Sequence, residues 1–359
     1  MLWNWQQKNW PDWRFDAESL VAMEQRFLLG AGRLTGSWVH LTREDKDRIQ
    51  ISLLIDEALK TSLIEGEILD RSSVRSSIRQ QFGLPGTVQS RPAESGIAEL
   101  MVACFEHFGQ PLTDQTLFEW HQLVCRGAND IGPVGMYRTG HDVMQVVSGP
   151  MQKRMVHFEA PPSQIVKREM QIFIEWFEAC RLPALTKAGL AHLYFVSIHP
   201  FEDGNGRIAR ALSEKCLAQA IGQPSLLALS RQIAIDRKLY YVNIEANNKG
   251  MDITSWLAWF AGSVLKAQDY SIAIIDHLIA KTKLFDALRG QLNLRQERAL
   301  IRMFDAGPDG FEGGLSARNY ITIADTTTAT ATRDLFDLVK KGALSRTGTL
   351  KSTRYWLKI

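Results

Sequence analysis

No apolar run in this 359-residue chain approaches 18 residues, the length a helix needs to cross a bilayer, so no membrane segment is expected. Cysteine is scarce. Cys104, Cys125, Cys180 and Cys216 are widely scattered and form no CxxC pair, which excludes a disulfide framework of the small secreted kind and leaves buried thiols in a reducing cytoplasm as the expectation. Neither sign of charge dominates: 42 Lys and Arg against 39 Asp and Glu give a net charge of +3, too mild to demand nucleic acid as a partner. The GxxxxGK[ST] loop, a GxGxxG after a strand and HExxH are all absent, which removes three common routes to nucleotide or metal chemistry. Internal repeats and low-complexity tracts are missing too. The first residues, MLWNWQQKNWPDW, are aromatic and polar, unlike a secretory leader. What remains is a globular chain with material for two or three domains.

One stretch stands out, HPFEDGNGRIAR, from His199 to Arg210. Gly204-Asn205-Gly206 can bend freely because two of its three residues lack a Cβ, and successive N–H groups in such a bend make a nest for anions. The following residues, Arg207-Ile208-Ala209-Arg210, read as the start of a helix, whose N-terminus adds about half a positive charge at the same place. Arg207 and Arg210, three apart, sit on neighbouring positions of one helical face with guanidinium forks suited to phosphate. Asp203 offers a hard oxygen for Mg²⁺, and His199 a base with an ordinary pKa of about 6.5. Phe201 is expected in the core. Taken singly, the Gly-Asn-Gly would be a turn and the arginine pair a solvated face; their joint spacing within twelve residues points to a site.

At these residues the chain resembles the Fic family, whose motif HPFx[D/E]GNGRxxR it matches at His199, Pro200, Phe201, Asp203, Gly204, Asn205, Gly206, Arg207 and Arg210, with Glu202 at the free position. Most members move AMP from ATP to a hydroxyl of a protein. The resemblance implies His199 as general base and Asp203 as the Mg²⁺ ligand. It also implies Asn205 and the backbone from Gly204 through Gly206, Ile208 and Ala209 on the inner phosphates with Arg207 beside them, and Arg210 on the γ-phosphate. The same resemblance directs attention upstream to TSLIEG, from Thr61 to Gly66, which fits the family's inhibitory pattern [S/T]xxxE[G/N]. Apolar residues at helical spacing over 47–68 put Thr61 and Glu65 one turn apart on a shared face, and Glu65 is expected to pair with Arg210 where the γ-phosphate belongs.

Two further stretches fit. Two short apolar segments, within 135–147 and at 156–158, flank Ser148-Gly149-Pro150 and read as a β-hairpin. In the family this hairpin is a flap that pairs with the target's backbone, with Val143, Met144, Gln145 and Val146 as expected contacts. Tyr240, Tyr241 and Asn248 match a segment that surrounds the adenine, although core packing explains the tyrosines equally well.

The expected fold class is mainly α: a Fic-fold helical core with a hairpin flap, an N-terminal helical segment and a C-terminal winged helix-turn-helix, divided at 1–92, 93–285 and 286–359. Helices are expected over Arg14–Leu29, Thr42–Leu69, Leu185–Ile198, Leu294–Phe304, Ser316–Ile323 and Thr328–Lys341, with a strand-like Tyr355-Trp356-Leu357. Four tryptophans, Trp3, Trp5, Trp10 and Trp13, form either a cap on the core or an interface. Arg333, Lys340, Lys341, Arg346, Lys351 and Arg354 make the last unit mildly basic, so it is a candidate for protein contact, dimerisation or DNA. The expected activity is a cytoplasmic protein adenylyltransferase. It uses ATP and Mg²⁺, acts on a Ser, Thr or Tyr hydroxyl of a target or of itself, and is restrained by Glu65. The alternatives are Glu65-dependent AMP removal, transfer of another phosphate-containing group, and a DNA-binding regulator with a nucleotide-sensing pocket.

Overall fold

A computed structural model describes residues 2–128, 132–140, 142–149, 154–308 and 310–359. His141, inside the expected first flap segment, and Pro150, in its turn, lie outside the described residues. The elements run in the order α1 (Val21–Val39), α2 (Arg43–Ile64), α3 (Arg71–Gln81), α4 (Pro92–Glu106), α5 (Asp114–Val124), β1 (Gln145–Ser148), β2 (Met155–Glu159), α6 (Ser163–Ala179) and α7 (Ala184–Ile198). They continue with α8 (Asn205–Ile221), α9 (Leu229–Ile235), α10 (Arg237–Ala246), α11 (Thr254–Ala287), α12 (Leu294–Phe304), α13 (Ala317–Ala324), α14 (Thr328–Lys340), β3 (Leu344–Thr347) and β4 (Arg354–Leu357). The fold is mainly helical, as expected. The chain forms two compact units, one of residues 1–33 and 50–270, the other of residues 34–49 and 271–359. Helices α3 and α4 pack on each other across position 92.

In the first unit α7 and α8 are the central pair, joined by the short loop 199–204. Helix α7 is apolar on all sides and buried along nearly its whole length, as a helix at the centre of a layered bundle must be. Around it the neighbours come close: a Cβ placed on Gly189 would meet Leu257 and Phe260 of α11 at 2.9 and 3.0 Å. The α4–α5 contact is tighter still. A Cβ on Gly96 would lie 2.1 Å from the backbone oxygen of Leu123, an obstacle no rotamer change can move. Gly96→Ala is therefore expected to destabilise the first unit by about 1–3 kcal/mol despite the better helix propensity of alanine, read as a lowered urea midpoint.

The tryptophans cap the core. Trp10 packs edge-on against Tyr194 of α7 at 5.1 Å and donates to Glu169 at 2.7 Å; Trp5 donates to the Glu159 carbonyl at 2.6 Å, and Trp3 sits edge-on to Phe158. Their rings thus tie the chain's beginning to α6, α7 and the hairpin. Two helix limits differ from expectation. Helix α1 starts at Val21 rather than Arg14, because Arg14 pairs by backbone with Asp252 and Ile253 follows it. Helix α2 stops at Ile64: Gly66 has φ of +94°, and the Gly66 and Glu67 N–H groups turn back to the carbonyls of Leu63 and Ser62, a glycine-terminated helix end. Of the cysteines, Cys125 and Cys216 are buried, whereas Cys104 and Cys180 are partly exposed.

The second unit packs α12, α13 and α14 against the antiparallel pair β3–β4 around Leu300, Tyr320, Leu335, Leu338 and Leu344. Asp334 of α14 points inward, accepting from Arg295 at 2.8 Å and from the Tyr320 hydroxyl at 3.0 Å. The outer side of α14 therefore presents Thr332, Arg333, Phe336 and Lys340, less acidic than its composition suggests.

Candidate active site

The loop between α7 and α8 is held by its own side chains. His199 ends α7 with φ of +50°, a left-handed conformation that histidine tolerates better than most residues. Asn205 accepts the Phe201 N–H at 3.0 Å and donates to the Phe201 carbonyl at 2.8 Å. Its side chain thus clips the loop, and its backbone N–H stands at the start of α8. Phe201 is fully buried and stacks on His121 of α5 at 4.1 Å. Ile208 and Ala209 are also wholly buried, and the Ile208 N–H is used by the Gly204 carbonyl. The helix turns both side chains into the core.

Arg138, unremarked in the sequence, fixes the same loop from outside. Its backbone N–H donates to Pro200 at 3.0 Å, its Nε to the His199 carbonyl at 2.8 Å and its Nη2 to the Pro161 carbonyl at the foot of the hairpin. One buried guanidinium thereby joins the motif loop to the flap. Nothing in the local sequence around Gly135-Met136-Tyr137-Arg138 signals so distant a contact.

What faces the anion nest is a carboxylate. Glu65, in the turn just beyond α2, puts Oε1 2.7 Å from Arg210 Nη2, and any Cβ at Gly206 would lie 2.3 Å from that same oxygen. Only glycine lets the carboxylate settle on the first turn of α8. Thr61 accepts from Arg210 twice, through Oγ1 at 2.7 Å and its carbonyl at 2.9 Å. Arg207 is bridged by Asp203 at 3.0 Å and by Glu67 at 2.7 Å; Glu67, two residues past Glu65, is a second acid brought down by the same turn. Arg210 Nη1 and Arg207 Nε are nevertheless buried with no partner, donors whose satisfaction by an incoming anion would recover a desolvation cost.

Glu65 and Gly206 open on a cavity of about 630 Å³, a size that suits a nucleotide-like ligand. Its wall includes Glu65, Gly206 and His199 on one side, Val146 and Val147 of β1 on another, and Tyr241 of α10. Tyr241 donates to the Ile64 carbonyl at 3.0 Å and lies 3.3 Å from Glu65 Oε2, steadying the carboxylate. Tyr240 is buried with its hydroxyl on His192 Nε2 at 2.9 Å, and it also contributes to the cavity wall. Asn248 donates to the His157 carbonyl at 2.8 Å and leaves Oδ1 buried without a partner at the cavity wall. Val143 and Met144 precede the strand instead of lying in it. β1 covers Gln145–Ser148, so the cavity-facing residues are shifted toward Val146, Val147 and Ser148.

His199 keeps a defined tautomer. Nδ1 lies 3.3 Å from the Val196 carbonyl, which only accepts, so Nδ1 carries the proton and Nε2 is the free base. Burial pushes its pKa down to about 4, and does the same to His121, to about 4, and to His192, to about 3. All three are neutral when folded and protonate near 6.5 when unfolded. Stability is therefore full above pH 6.5 and falls as the pH drops through 6.5 toward 4, at up to about 1.4 kcal/mol per pH unit for each histidine. Urea titrations between pH 7 and 4.5 should show this decline; a flat profile would mean that the rings are hydrated.

In comparison with known proteins, residues 111–217 match the Fic/DOC family, and residues 3–84 match a domain of unknown function, DUF4172. The chain carries a Fic/DOC domain. The "Protein adenylyltransferase Fic" of Nematostella vectensis is 25% identical over 221 residues, 59% of this chain and 47% of that one. The "Uridine 5'-monophosphate transferase" of Xanthomonas campestris is 28% identical over 147 residues, 36% of this chain and 26% of that one. The chain thus spans half or less of the length of these curated relatives. Among solved structures, a Fic family protein from Desulfovibrio desulfuricans G20 aligns over 97% of this chain and 98% of its own at a TM-score of 0.55 and 20% identity. Fic-1 from C. elegans aligns over 74% of each chain at 0.51 and 20% identity. The fold of the Fic domain and the helices around it is shared with these proteins.

Proposed function

We propose that the chain transfers AMP from MgATP to a hydroxyl of a protein, and that Glu65 restrains this activity in cis. The carrying observation is the carboxylate on Gly206: an anion of the chain's own occupies the first turn of α8 and one fork of Arg210. A site that binds a carboxylate there, while leaving Arg210 Nη1 and Arg207 Nε without partners, has the donors for a polyphosphate. With Glu65 withdrawn, the terminal phosphate takes Arg210 and the inner ones take the free N–H groups of Asn205, Gly206 and Arg207. A hydroxyl entering along β1 gives its proton to His199 Nε2, its oxygen bonds to the α-phosphorus, the bond from that phosphorus to the bridging oxygen breaks, and pyrophosphate leaves. Fixed donors aimed at the phosphates supply most of the acceleration.

Among the described residues no group of three acids, histidines or cysteines could hold a metal by itself. Asp203 is half-exposed and spends Oδ2 on Arg207, so it fits an Mg²⁺ held by one carboxylate together with substrate phosphates. Bound there, the ion would offset phosphate charge. The relatives include transferases named for AMP and for UMP, so the assay is run with α-labelled ATP and unlabelled UTP in competition. Label fixed to protein and insensitive to UTP supports the proposal; label displaced by equimolar UTP moves it to a uridylyl transferase, and none with any variant removes it. For the second unit we keep the winged-helix reading, with the face of Thr332, Arg333 and Lys340 as the surface that would meet DNA or protein.

A further inference from the structure

A second hydrogen-bonded constellation runs from the flap to α10. Ser148, last residue of β1, places its hydroxyl 2.6 Å from His157 Nε2, and His157 Nδ1 is 2.9 Å from Glu245 Oε2 of α10. A carboxylate only accepts, so Nδ1 holds the proton and Nε2 accepts from the serine. Nucleophile, base and an orienting acid are thus in line, the arrangement that activates a hydroxyl.

Its position is built rather than incidental. Val146 pairs with Phe158 and Val147 with Val156, so His157 is the extra residue of a β-bulge, a device that re-aims one side chain beside a site. The backbone of His157 is held by Asn248. Gly149, with φ of +89°, turns the chain away immediately after Ser148. All three side chains line the same cavity as His199 and Gly206.

We propose that Ser148 is a base-activated nucleophile and accepts the nucleotidyl group held in that cavity, making it a modification site within the chain. The proposal rests on the transfer activity stated above. Ser148 Oγ bonds to the α-phosphorus, its proton passes to His157 Nε2, and the bond to the bridging oxygen breaks with loss of pyrophosphate, leaving a phosphodiester on the flap. The base here is His157, not His199.

The test uses the full chain carrying Glu65→Gly, α-labelled MgATP and peptide mapping, beside a fluorophosphonate probe applied without nucleotide. Label on the peptide containing Ser148 is expected, with its loss in Ser148→Ala and a fall of about a hundredfold or more in His157→Gln. The probe should modify Ser148 ahead of other serines, again through His157. The hairpin is exposed at Ser148, so Ser148→Ala leaves the fold intact. Label on other proteins or residues but none on Ser148 would overturn the proposal alone. Label nowhere would overturn the transfer activity as well, while probe reactivity at Ser148 would still report the activated hydroxyl. Labelling of Ser148 unaffected by His157→Gln would remove the assigned base, and the proposal with it.

Discussion

Replacing Glu65 with glycine is expected to raise the rate at which label from α-labelled ATP enters protein by about ten- to a hundredfold. A hydrogen bond between charged groups contributes about 1.5–3 kcal/mol, and each 1.4 kcal/mol is a factor of ten in occupancy. The carboxylate is only partly exposed and its partner guanidinium almost wholly buried, so solvent screening reduces this little. Folding should survive, since Glu65 lies beyond the end of α2 and Arg210 keeps both bonds to Thr61. Glu65→Gln separates charge from bulk: it keeps the side chain over Gly206 but loses the ion pair, and an intermediate rate is expected. Equal rates for wild type and Glu65→Gly would show that the carboxylate restrains nothing.

Loss of the His199 imidazole should have the opposite and larger effect, lowering transfer by about 10²–10⁴-fold in the Glu65→Gly background. Alanine alone is an ambiguous replacement, because position 199 has φ of +50° and a disturbed loop would also abolish activity. His199→Asn resolves this: asparagine accepts the left-handed conformation readily but offers no base. Both variants should be equally inactive and should fold with similar urea midpoints. A substantially active His199→Asn would show that the ring served to shape the loop.

The motif loop could be read in advance because its chemistry is local: glycines, an acid and two arginines fall within twelve residues. Long-range partners could not. Arg138 reaches Pro161, Ile198 and His199 only because the fold brings three loops together, and Glu67 meets Arg207 across 140 positions. Neither carries a signature of its own. Which way each side chain turns was equally hidden: Ile208 and Ala209 point into the core, and the Tyr240 hydroxyl meets His192. The apolar pattern placed the second strand to within one residue but began the first ten residues early, and a bulge at Val146/Val147 is invisible to alternation, and with it the placing of His157. Packing across the turn-rich stretch at 83–92, where α3 meets α4, is a matter of contacts and carries no local signature either.

The central claim is that Glu65 sits where a phosphate belongs. A crystal structure of Glu65→Gly with Mg²⁺ and a non-hydrolysable ATP analogue tests it most directly. The account predicts a terminal phosphate oxygen within about 3 Å of the Arg210 guanidinium and the inner phosphates over the first turn of α8, with His199 Nε2 facing the α-phosphorus. A vacant first turn with Arg210 still bonded only to Thr61, or phosphates bound elsewhere in the cavity, would contradict it.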